Sequence, residues 1–118
     1  MTFTVDAQPA TIRANRDMMR HVISNLVSNA VRHGDAESVI KITCDQHELA
    51  IENACKPLTK QQLQHVFDPF YRSNATTKQH VNSSGIGLYT VKMLLDAKGL
   101  DYDFTPHGQG MRFVVRFV

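Results

Sequence analysis

The sequence predicts an α/β fold: a two-layer sandwich in which a mixed β-sheet carries three helices packed on one face. Three observations lead there. Apolar residues recur with a helical period from Arg16 to His33 and again from Ile86 to Lys98. Short β-type segments flank and separate these helices. The chain closes on Met111–Val118, where Met111, Phe113, Val115 and Phe117 alternate with Arg112 and Arg116 as in a half-buried strand.

Each element has its own local cause. Thr2–Val5 and Ala10–Ala14 read as short strands interrupted by Pro9. Asn15 is placed to cap the first helix, Arg16–His33, and Gly34 to stop it. On that helix Met19, Val22, Ile23, Leu26 and Ala30 form the expected buried stripe. Val39–Cys44 and Leu49–Asn53 are strands joined through Asp45–Glu48. A shorter helix starts at Lys60 after Pro57, capped by Thr59, and runs to Val66 or beyond. Ser73–Ser84 has neither period and reads as a long loop, a length that in a compact domain points to function or disorder. The third helix, Ile86–Lys98, buries Leu88, Val91 and Leu95 and takes Gly99 as its C-cap. Asp101–Thr105, a Pro106–Gly110 turn and Met111–Val118 make the closing hairpin. The total is three helices and about six strands, with no internal repeat.

Composition narrows the function classes. At 118 residues, 42% of them apolar, the chain makes one domain with an ordinary core. The net charge of +2 is small and scattered, which argues against a nucleic-acid or membrane-binding surface. Cys44 and Cys55 fit no zinc or CxxC spacing, so a reducing compartment is expected rather than a disulfide framework. The first residues lack the basic region and apolar run of a signal peptide, and no stretch has the ~18 apolar residues of a membrane span. A cytoplasmic domain is the expectation, cut from something larger.

Two motifs carry chemistry. In the first helix, Asn25, Asn29 and Arg32 fall within roughly 60° of one another, beside the apolar stripe. They are either solvated polar residues or a surface offering amide oxygens to a hard cation and a guanidinium to phosphate. The second motif, Ser83-Ser84-Gly85-Ile86-Gly87-Leu88, opens the third helix. Its glycines either soften the helix entry or let helix-start amides approach an anion. No Lys-Ser/Thr follows them, so this is not a P-loop, and no strand precedes them as a Rossmann turn requires.

HVISNLVSNAVRH, then VFDPFYR, then SSGIGLYTVK together resemble the N box, F box and second glycine box of sensor histidine kinases. The resemblance is to their ATP-binding catalytic domain, of the family shared with DNA gyrase, Hsp90 and MutL, and covers roughly Val5 to Val118. It implies the Bergerat fold and the cofactors ATP and Mg²⁺. By the same resemblance Asn29 is the metal ligand, and Asn25 and Arg32 are the catalytic, phosphate-side residues. His33 would lie near the nucleotide, and Asn53 would take the place of the residue that accepts from the adenine amino group. Ser84, Gly85, Ile86, Gly87 and Leu88 would line the nucleotide, with Gly85 and Gly87 passing under the phosphates. Ser73–Ser84 would be a lid anchored by Phe67 and Phe70, and Arg72 would reach phosphate or brace the lid base.

The chain departs from that pattern at the first glycine box, where Asn53-Ala54-Cys55-Lys56-Pro57 stands for approximately Asp-x-Gly-x-Gly. Asn53 keeps a carbonyl oxygen for the adenine amino group but loses the charge, an exchange found in vancomycin-response sensors. Cys55 would be a reactive thiol or a small apolar wall. None of His21, His33, His47, His65, His80 and His107 sits in the family's His-Glu/Asp phosphoacceptor pattern. The resemblance therefore implies γ-phosphate transfer to a histidine on a separate dimerisation domain, for relay to a response regulator. The full-length protein would be a membrane-anchored homodimer. The alternative is a nucleotide-binding switch or pseudokinase, supported by Asn53 and the lost glycines. An anti-sigma-factor serine kinase of the same fold is disfavoured by the F box.

Overall fold

The computed structural model describes residues 2–7, 16–35, 37–69 and 87–117. Its elements are β1 (Thr2–Ala7), α1 (Arg16–His33), β2 (Val39–Cys44), β3 (Glu48–Ala54), α2 (Lys60–His65), α3 (Gly87–Ala97), β4 (Asp101–His107) and β5 (Gly110–Arg116). The strands form one sheet in the order β1-β2-β3-β5-β4. β1 runs parallel to β2, and the remaining pairs are antiparallel, so the sheet is mixed as expected. The proposed strand Ala10–Ala14 and most of the loop-to-helix region, 70–86, lie outside the described residues.

Local chemistry sets the helix ends. Thr59 caps α2 reciprocally: its Oγ1 accepts the Gln62 N–H at 3.1 Å, and Gln62 Oε1 accepts the Thr59 N–H at 2.9 Å. Helix α3 ends as Gly99 predicts. At φ 66° Gly99 turns the chain, and the N–H of Leu100 reaches back to Leu95 O at 3.0 Å. Between β2 and β3, Asp45 Oδ1 accepts the N–H groups of His47 and Glu48 at 2.7 and 2.9 Å, closing the turn. The β4–β5 turn is tighter than expected. Pro106 belongs to β4, and only Gly108 and Gln109 lie between the strands.

One face of the sheet carries the core. Val22, Leu26 and Ala30 of α1 and Leu88, Val91 and Leu95 of α3 pack with Ile40, Leu49, Ile51, Phe113 and Val115. The expected stripe on α1 needs correction: Met18, Val22, Leu26 and Ala30 are buried, whereas Met19 is half-buried and Ile23 is 38% exposed. The i, i+4 row beginning at Met18 faces α3 and the sheet, and Met19 and Ile23 lie one step further round the helix. Just past α2, Phe67 packs edge-on against Tyr102, Phe104 and Phe113, with ring centroids 5.7, 6.5 and 6.1 Å away.

The other face is a lattice of ion pairs. Arg116 Nη1 bridges Asp101 and Asp103 at 3.1 and 2.8 Å. Arg112 lies between Glu48 and Glu52 at 3.7 and 3.6 Å. Val114 and Ala50 pair across β5 and β3 between these charges and are buried.

Candidate functional site

Three chain segments converge at one end of the core. Helix α1 ends at His33, and the N–H of Asp35 donates to Ala54 O at 2.9 Å, tying the helix end to the end of β3. Asn53 pairs with Ile40 on one side and Met111 on the other, so it shares their helix-facing side of the sheet. The tip of the β4–β5 hairpin closes the third side, where the N–H of Cys55 donates to Gln109 O at 3.3 Å. The end of α1, which carries His33, and the end of β3, which carries Asn53, are thereby tied together, with His33 exposed and Asn53 half-buried.

Along α1, Asn25, Asn29 and Arg32 are half-buried on the flank of the buried row. Among the described residues their side chains make no hydrogen bond or ion pair. Helix α3 packs against α1, and Leu88 in its first turn is 8% exposed within the shared core. That burial fixes the N-terminus of α3 beside α1 and makes Leu88 a wall residue whose side chain belongs to the core. Gly87 begins the helix, half-buried, and a Cβ there would meet nothing within 4 Å. Arg72, Ser84, Gly85 and Ile86 lie outside the described residues, as does Phe70.

The electrostatics are mild. Burial pushes the Cys55 thiol up, and the nearby Asp35 carboxylate adds to this. Hydrogen bonding from the Asn53 side chain and the Met111 backbone opposes them. A raised pKa disfavours the thiolate, which weighs toward a small wall rather than a nucleophile at Cys55. Among the described residues, no three His, Cys, Asp or Glu side chains gather as a metal site. The oxygen donors on offer are the carboxamides of Asn25 and Asn29. A hard cation that keeps most of its waters and binds mainly to substrate phosphates is suited by such a sparse set.

Residues 14–118 match the histidine kinase-, DNA gyrase B-, and HSP90-like ATPase family. The chain belongs to it. Within this ATPase family, the sensor histidine protein kinase HK06 of Streptococcus pneumoniae is 40% identical over 94 residues, covering 80% of this chain and 21% of that protein. The sensor protein SrrB of Staphylococcus aureus is 32% identical over 105 residues, covering 85% of this chain and 18% of that one. The chain thus spans about a fifth of the length of these curated relatives. Among solved structures, the catalytic domain of histidine kinase ThkA superposes with a TM-score of 0.81 at 20% identity, covering 98% of this chain and 77% of that one. The mycobacterial sensor histidine kinase MprB gives 0.79 at 22% identity, covering 98% and 80%. At that identity the structures share the fold, which is the histidine kinase catalytic α/β sandwich.

Sequence reasoning missed Gly110. A Cβ on it would run into the carbonyl oxygen of Asn53 and lie 2.8 Å from Asn53 C and 2.9 Å from Ala54 Cα. The available signal was a glycine at the start of a strand, which marks a close backbone approach as readily as a turn.

Proposed function

We propose that residues 1–118 form the ATP-binding catalytic unit of a two-component sensor histidine kinase. The unit binds Mg²⁺·ATP and donates the γ-phosphate to a histidine on the dimerisation domain, for relay to a response regulator. One observation supports the reading: Asn25, Asn29 and Arg32 stand half-buried along one flank of α1, with no side-chain partner among the described residues, in a member of this ATPase family. ShkA, a structure of the same fold at TM-score 0.77, was solved in complex with AMPPNP.

The roles follow the resemblance to the family's boxes. Asn53 takes the base end, its Oδ1 accepting from the adenine amino group, and His33 lies near the nucleotide. Asn29 holds the metal, and Asn25 supports it or touches phosphate. When bound, Mg²⁺ offsets charge on the phosphate oxygens. Arg32 stabilises the charge that develops on the transferring group, and the backbone at Ser84, Gly85, Ile86, Gly87 and Leu88 donates N–H groups to the phosphates. Arg72 reaches phosphate or braces the lid base. Positioning supplies most of the catalysis, and the general base comes from the phosphoacceptor domain.

The full-length protein is read as a membrane-anchored homodimer with this unit on the cytoplasmic side. Among the described residues, no helix is long and apolar enough to cross a membrane. Asn53 in place of the usual Asp supports a place near the vancomycin-response sensors.

Calorimetry tests the reading. Wild-type chain should bind ATP in a Mg²⁺-dependent way with Kd in the micromolar to millimolar range, roughly −4 to −8 kcal/mol. Asn29→Asp should greatly weaken the metal-dependent part, and equal affinity in that variant would sink the assignment. With labelled ATP the chain alone should stay unlabelled, and a dimerisation segment added in trans should take up phosphate.

A further inference from the structure

The tip of the β4–β5 hairpin grips the end of β3 and the segment after it residue by residue. His107 Nε2 lies 2.9 Å from Glu52 Oε1. Gln109 O accepts the Cys55 N–H at 3.3 Å, and Met111 Sδ accepts the Leu58 N–H at 3.5 Å. Between these contacts Gly110 is buried against Asn53 and Ala54. The two glycines of the tip serve different needs. Gly108 has φ 58° and open space around its Cβ position, so only its backbone conformation calls for glycine. Gly110 is not among the positive-φ glycines, and it is the lack of room against β3 that excludes a side chain.

We propose that this hairpin tip sets Asn53 for reading the nucleotide base, with Gly110 as the positioning residue. The inference rests on the placement of Asn53 at the base given above. Asn53 is held laterally by pairing with Ile40 and Met111, both buried, and its main chain abuts Gly110. The atoms a Cβ at 110 would strike are main-chain atoms of Asn53 and Ala54, so the displacement passes directly to Asn53. Its carboxamide oxygen accepts from the amino group of adenine, whereas guanine presents a carbonyl there. A shifted carboxamide loses the favoured bond and with it the discrimination against guanine.

The two glycines provide the test. ATP and GTP affinities in Mg²⁺ are measured by calorimetry for wild type, Gly108→Ala and Gly110→Ala, with the thermal midpoint of each. Gly108→Ala should lower the midpoint and leave the ATP:GTP ratio unchanged. Gly110→Ala should lower ATP affinity about tenfold and GTP affinity far less, as expected when one base-reading hydrogen bond is lost. A folded Gly110→Ala with the wild-type ratio overturns the proposal.

Hydrogen exchange on the unmodified chain decides the matter if Gly110→Ala does not fold. ATP should slow exchange at the amides of Cys55 and Leu58, and inorganic tripolyphosphate should not. Equal protection by both, or by neither while ATP binds, refutes the positioning role alone. Failure of the wild-type chain to bind ATP removes the functional reading as well.

Discussion

The N–H of Asp35 donates to the carbonyl of Ala54 at 2.9 Å, so the residue two places beyond α1 and the last residue of β3 move together. Asn25, Asn29 and Arg32 stand on that same helix. From Asn25 to His33 is about 12 Å of helix at 1.5 Å per residue. A single rigid rod therefore carries the proposed phosphate-side row and delivers its end to the strand that carries Asn53.

Replacing Asn53 tests the base end directly. Asn53→Ala should cost ~1–3 kcal/mol in ATP binding, because the adenine amino group is left unpaired. Asn53→Asp should bind ATP as well as wild type or better, since a charged acceptor makes the stronger bond. Competition titration with ATP and GTP measures both.

Arg32 should separate chemistry from binding. The proposed role is stabilisation of charge in transfer, so Arg32→Ala should lower the rate of phosphate transfer to a dimerisation segment far more than it raises the KM for ATP. Equal effects on both would make Arg32 a ground-state contact.

The core predicts a purely structural variant. Leu95 is fully buried where α3 meets the sheet. Leu95→Ala should destabilise the fold by about 2–5 kcal/mol through lost burial and a residual cavity. Chemical denaturation measures the loss, and the ATP:GTP ratio should not change.

Two carboxylates shape the acid limb of stability. The Asp45 carboxyl is held below its ordinary value by the Glu48 N–H and then the His47 N–H, and that of Asp96 by Lys92 and then the Tyr102 hydroxyl. A carboxyl lowered in the folded state stabilises above its unfolded value, here near 3.8, and loses that contribution as pH falls through the lowered one. Urea midpoints should therefore drop on acidification below about pH 4, and the drop should be shallower in Asp45→Asn and Asp96→Asn.

Much of this was legible because it is local. Thr59, Gly99 and Gly34 act on their own neighbours, and the ends of α2, α3 and α1 follow from them. What the sequence withheld depends on partners distant along the chain. Met18 and Met19 are equally apolar, and only the direction of α3 and the sheet decides which is buried. The alternation of Arg112 and Arg116 was visible, but not that Glu48, Glu52, Asp101 and Asp103 would answer them, because that needs β5 placed between β3 and β4. The Asn25, Asn29 and Arg32 row was visible as a helical arc. Gly110 was not, since its neighbour Asn53 lies more than fifty residues away in the chain.

The outer position of β4 bears on how copies of this protein behave at high concentration. An outer strand offers unpaired main-chain groups to any passing strand, which is how sheets extend into aggregates. On β4, Pro106 supplies no N–H, and Asp101 and Asp103 place carboxylates along the same strand. Among the described residues the opposite margin, β1, is less guarded: it has one carboxylate, Asp6, and neither proline nor lysine, and its Phe3 and Val5 are 47% and 63% exposed. Self-association should start from β1, and Val5→Lys should raise the solubility limit while β4 variants of equal charge change it little.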